Sequence, residues 1–117
     1  MNIEEFREYC ISKKGVTEGF PFDEKVLVFK AIKIFALTNI EGEFQISLKC
    51  DPERAIELRE EYAEHIKPGY HLSKQHWNTI VMEGSVPEKL IYELIDHSYD
   101  LIVASLNKKQ KGELENL

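Results

Sequence analysis

A surplus of positive charge is what this sequence lacks first. Its 15 Lys and Arg face 21 Asp and Glu, giving a formal charge of −6. Proteins that coat nucleic acid without regard to sequence draw affinity from phosphate neutralisation on a basic face, so the overall balance argues against that class. A local basic patch remains compatible with it. Long hydrophobic runs are also missing: none approaches the roughly 18 residues of a membrane helix. The opening Met-Asn-Ile-Glu-Glu-Phe lacks the basic-then-apolar order of a secretion signal, and a cytoplasmic protein without membrane attachment is expected. Cysteine is scarce. Cys10 and Cys50 show neither disulfide-framework nor zinc-knuckle spacing, and Cys50, ending an alternating run, reads as a small buried thiol. There is no Gly-rich phosphate loop, no Gly-x-Ser-x-Gly elbow and no Cys-His pattern of a nucleophile class, so no enzyme is nominated.

What is present suits one soluble domain. The chain has 117 residues, 43% hydrophobic and 31% charged, enough for a single modest core. The expected domain covers residues 1–111, with 112–117 as a frayed tail. Asn2 and Glu5 form a capping-box pattern, and Ile3, Phe6 and Cys10 recur at helical spacing up to Lys13-Lys14-Gly15. Thr17 to Asp23, with Gly19 and Pro21, reads as an irregular connection. Residues 26–31, 34–40 and 44–50 are β-prone, and Phe44, Ile46 and Leu48 alternate with polar neighbours, which predicts an antiparallel meander. Asp51-Pro52-Glu53 starts a second helix by capping chemistry. Arg54 and Arg59 are expected to pair with acids of that helix. Trp77 to Met82 reads as a fourth strand. Ser85 and Glu88 form a second capping-box pattern before a long amphipathic helix through Leu106. The order α-β-β-β-α-β-α predicts an α+β fold with an antiparallel sheet packed on helices.

The richest segment runs from Tyr62 to Met82. It holds the only Trp, three of four His, Lys67 and Lys74, and a Pro68-Gly69 turn, with no acid between Glu64 and Glu83. Rings, imidazoles and cations without nearby carboxylates suit an anionic ligand. Lys67, Lys74 and Lys49 could meet phosphates, Tyr70 or Trp77 could stack on a base, and His71, His76 and Asn78 could orient a groove or read a base edge. The bland alternative makes Tyr70 and Trp77 packing groups and the lysines ordinary solvated side chains. His65, His71, His76 and His97 match no dense metal motif. Glu4, Glu5 and Glu8 read as a solvated helix face. No metal and no cofactor is expected.

Phe22-Asp23, Phe29-Lys30, Lys33-Ile34-Phe35-Ala36-Leu37, Leu48-Lys49-Cys50-Asp51-Pro52-Glu53, Pro68-Gly69-Tyr70-His71-Leu72-Ser73-Lys74, His76-Trp77-Asn78-Thr79 and Ser98-Tyr99 together resemble the MmcQ/YjbR family of small bacterial proteins, over roughly Glu4 to Lys109. The resemblance implies a CyaY/frataxin-like sandwich and DNA binding through a double-winged arrangement of hairpins. One departure stands out: the family usually has glycine in the first hairpin turn, where this chain reads Lys30-Ala31-Ile32-Lys33. The expectation is a monomeric, non-enzymatic DNA-binding accessory or regulatory protein using Lys49, Lys67, Tyr70, His71, Lys74, His76, Trp77 and Asn78. Its rival is an interaction module that binds a protein or a small anionic ligand in the same concavity.

Overall fold

The computed structural model describes residues 1–69 and 72–117. Four helices and six strands follow in the order α1 (Ile3–Ile11), β1 (Thr17–Gly19), β2 (Val26–Ala31), β3 (Lys33–Asn39), β4 (Gln45–Lys49), α2 (Pro52–Glu61), β5 (Ile66–Pro68), β6 (Trp77–Val81), α3 (Glu88–Ser105) and α4 (Lys108–Glu115). All strand pairings are antiparallel, in the spatial order β1-β2-β3-β4-β6-β5. The fold class is therefore α+β, as the patterning predicts. No helix among the described residues is long and apolar enough to cross a membrane.

Local chemistry sets the helix starts. Asn2 and Glu5 close a reciprocal capping box on α1, and Asp51 caps α2 by accepting from Arg54 N with Pro52 in the first turn. Each such cap contributes about 1 kcal/mol by satisfying N–H groups that the helix leaves unpaired. α3 departs from expectation. Pro87 occupies its cap position without a side-chain bond, and Ser85 instead donates its N–H to Glu83.

Period-two burial explains the sheet. Ile46 and Leu48 of β4 are buried in the core, whereas Gln45, Ser47 and Lys49 alternate onto the opposite face. α3 packs Ile91, Leu94, Ile95 and Ile102 into that core, joined by Phe6 and Cys10 of α1 and Ala55 and Leu58 of α2. Phe6 meets Phe29 edge-on at 5.5 Å, and Phe35 meets Tyr99 at 5.4 Å. Fully burying a ring such as Phe6 is worth roughly 1.5–3 kcal/mol. Ser98 of α3 is polar yet fully buried because its hydroxyl bridges two strands: it donates to Phe35 O at 2.5 Å and accepts from Lys49 N at 2.9 Å.

Three elements differ from the sequence reading. β1 and β5 are three-residue edge strands lying in stretches that composition marks as connections. α4 replaces the expected frayed tail. Asn107 and Gln110 form its capping box, and Leu114 is 5% exposed against the core and lies close to Gly15. Gly15 has φ +72°, and a Cβ there would stand 2.4 Å from Leu114 Cδ1. The β2–β3 hairpin also resolves the missing glycine: Ile32 itself takes φ +66°. That conformation costs an L-residue roughly 1–2 kcal/mol, and Ile32 offsets part of this by packing on the core.

Candidate functional site

With the helices on one face, the other face of the sheet forms a recess of about 510 Å³. Its floor is Leu37 of β3, Gln45 and Ser47 of β4, and Thr79 of β6, with Val26 and Asn39 at one side. Pairing explains why these residues converge, since Val26↔Asn39, Leu37↔Ser47 and Ser47↔Thr79 are in register and therefore share a face. Ser47 and Thr79 satisfy each other, hydroxyl to hydroxyl, at 2.9 Å. Phe22 and Leu72 wall the recess with apolar surface, and Phe22 is 64% exposed. Asp23 also lines it, but one of its carboxylate oxygens accepts from Lys25 N and Val26 N to start β2.

A second depression adjoins the first and shares Gln45 and Thr79 with it. Glu43, Glu64 and Glu83 surround Lys67 there, together with His65. His65 Nε2 lies 3.1 Å from Glu83 Oε1, and Gln45 Nε2 donates to Glu43 at 2.8 Å. Hydrogen bonding to Ser85 holds the Glu83 carboxyl below its ordinary range.

The structure divides the residues singled out from sequence. Lys49 lies beside Trp77 and Lys67 beside Thr79 across the β6 ladder, and Lys74 is exposed between β5 and β6. Among the described residues none of these three lysines has a carboxylate within 4.0 Å. Yet Lys67 shares its hollow with three acids: Glu64, just before it in the chain, and Glu43 and Glu83, which the fold brings in. Trp77 is 9% exposed, and Asn78 is 3% exposed. The stacking role for Trp77 and the base-reading role for Asn78 are therefore corrected: both are built into the fold. Gly69 N donates to Trp77 O at 2.7 Å, and a Cβ on Gly69 would sit 2.7 Å from Trp77 Cβ, so only glycine allows this approach. His76 is half-buried, and its backbone carbonyl accepts from Cys50 N at 2.7 Å. Tyr70 and His71 lie outside the described residues.

Arg59 is the residue that sequence reasoning misplaced. Rather than pairing along α2, it donates Nε to Asn78 Oδ1 at 2.6 Å and Nη2 to the carbonyls of Lys74 and of Trp77, the latter at 3.2 Å. Asn78 in turn reaches Ala55 O. Arg54 likewise pairs outside its helix, with Glu93 at 2.9 Å. The signal available was only a buried Asn needing partners, which periodicity does not reveal.

Neither cysteine is an activated thiol. Burial pushes the Cys10 thiol up to about 12 and raises Cys50. His97 is held below its ordinary value by burial first and by Arg54 second, and its Nε2 accepts from Asp51 N at 3.2 Å. Tyr9 and Lys13 both donate to Asp96 at 2.6 Å, binding α1 to α3. Among the described residues no group of three His, Cys, Asp or Glu is placed to hold a metal ion.

Fold and recess define a small α+β protein built on one antiparallel sheet, with one face given to core and the other open. Within that class the chain belongs to the YjbR family, whose model matches residues 11–101. It is 34% identical over 119 residues to the uncharacterised protein YjbR of Escherichia coli K12, covering 100% of both chains. A shorter match to the uncharacterised protein YyaQ of Bacillus subtilis 168 is 49% identical over 61 residues, 51% of this chain and 50% of that one. The crystal structure of Deinococcus radiodurans DR2400, a DUF419 protein, superposes with a TM-score of 0.88 at 39% identity. That likeness covers 97% of this chain and 87% of the other.

Proposed function

We propose that this protein is a non-enzymatic binding module whose working surface is the open sheet face between Phe22 and Leu72. The carrying observation is the recess itself: apolar walls from Phe22 and Leu72 over a floor where the Ser47 and Thr79 hydroxyls satisfy each other. A floor that is already hydrogen-bonded accepts apolar groups without leaving polar atoms stranded.

Duplex DNA is the second reading, favoured by the absence of close carboxylate partners for Lys49, Lys67 and Lys74. Its weakness is electrostatic, because Lys67 is outnumbered in its own hollow and both Trp77 and Asn78 are enclosed.

Two titrations separate the readings. The neutral dye Nile Red should brighten on the native protein, and Phe22→Asp with Leu72→Asp should abolish the response while the far-UV spectrum holds. Duplex affinity should be weak and insensitive to Lys67→Glu with Lys74→Glu. A steeply salt-dependent duplex affinity lost in that lysine variant, with dye binding unchanged at the recess, would instead establish the DNA reading.

A further inference from the structure

The recess and the acidic depression form one continuous surface, because Gln45 and Thr79 line both. Its two halves differ in chemistry. One end offers hydrocarbon from Phe22, Leu37 and Leu72, and the other sets Glu43, Glu64 and Glu83 against the single ammonium of Lys67.

We infer that this face receives an extended peptide segment of a partner protein, with an apolar side chain seated in the recess and Lys or Arg side chains reaching the acidic end. The inference rests on the binding-module reading and names the class of occupant. Charge complementarity carries it. Three carboxylates against one cation form a negative field on a molecule that is itself acidic, so a cationic segment is drawn in and an anionic one repelled. Glu43 and Glu64 are exposed and free of short ion pairs among the described residues, so they can turn toward an incoming cation. Glu83 already meets the His65 imidazole nitrogen at 3.1 Å, so this end of the surface accommodates a nitrogen donor against a carboxylate. The exposed rim ring of Phe22 is of the residue type that anchors such interfaces.

Selection from a random displayed-peptide library tests the occupant. The native chain should enrich sequences with an aromatic or aliphatic residue beside Lys or Arg, at least tenfold over the Phe22→Asp/Leu72→Asp variant. Glu43→Lys/Glu64→Lys should lose that basic consensus while keeping its fold. An acidic or uncharged consensus that still disappears in the rim variant would overturn the charge class and leave the groove reading standing. Enrichment indifferent to the rim variant, or none at all, would overturn both. Self-association of the native chain that Phe22→Asp abolishes would also overturn the inference, by making a second copy the occupant.

Discussion

Ser47 and Thr79 face one another across β4 and β6 with their hydroxyl oxygens 2.9 Å apart, at the centre of the open sheet face. Ser47 is buried, so Ser47→Ala leaves the Thr79 hydroxyl without its partner and should cost about 1 kcal/mol. Thr79→Val should cost a similar amount. The double variant should cost less than the two together, by about 0.5 kcal/mol or more, because no unpaired hydroxyl then remains. Urea denaturation of the four proteins measures this coupling, and strict additivity would deny it.

Arg59 should matter more than any lysine of the 67–78 segment. Arg59→Ala deprives Asn78 and two carbonyls of their donor and should destabilise the fold by about 2 kcal/mol, on the scale of hydrogen bonds to charged groups. Arg59→Lys should recover little of the loss, since an ammonium lacks the planar fork that serves separated acceptors. Faster amide exchange at Trp77 and Asn78 in both variants would locate the effect. Full recovery in Arg59→Lys would contradict it.

The Asp96 cluster gives the fold an acid edge. Burial acts to raise this carboxyl, but hydrogen bonds from Lys13 and Tyr9 overcome it and hold it below its ordinary 3.8. A depressed carboxylate contributes stability that is present above the unfolded value and lost as pH falls through the folded one. Tyr9 supplies the opposite edge. Its bond to Asp96 pushes it up to about 12, so its contribution is complete below the unfolded value of 10.0 and is lost as pH rises from there to about 12. Asp96→Asn should therefore flatten the stability profile at both ends.

His97 acts near neutrality. Its folded value is lowered, so the unfolded chain binds the proton more readily, and stability should fall as pH drops from 6.5. The charged groups around the ring are Arg54, Asp51, Asp100 and Glu93, of which only Arg54 opposes protonation. Protonation also ends the bond from Asp51 N at the start of α2. His97→Gln should reduce the slope of unfolding midpoint against pH in this window, and an unchanged slope would assign the dependence elsewhere.

The last helix is part of the fold. Leu114→Ala should cost about 2 kcal/mol, at the low end for buried leucine, and Gly15→Ala should cost more than 1 kcal/mol by roughly the strain of a left-handed φ plus the clash with Leu114. Thermal unfolding of both variants checks the docking. Loss of neither stability nor helix content would return residues 112–117 to the loose tail expected from sequence.

Elements specified by neighbours along the chain were readable. The Asn2–Glu5 box, the Asp51-Pro52 start, the alternation of β4 and the apolar stripe of α3 all follow from short-range patterns. β1 and β5 were missed because three residues carry no period, and their strand character comes from pairing with β2 and β6. α4 carries a capping box at Asn107 and Gln110, but it is short and polar, and its single buried residue, Leu114, finds its place only through tertiary contact near Gly15. The 67–78 segment looks free of acids only within its own bounds, since Glu64 stands just before Lys67 and Glu43 and Glu83 reach it through folding. Asn78 turned inward for the same reason: its partner, Arg59, lies on another element.

Amide chemical-shift mapping with N-acetylphenylalanine amide, a neutral ring flanked by peptide groups, tests the central claim most directly. Binding at the open face predicts saturable shifts at Leu37, Gln45, Ser47 and Thr79, absent in the Phe22→Asp/Leu72→Asp variant and absent from α1 and α3. Shifts confined to the helical face, or no saturable shift on the sheet, would contradict it.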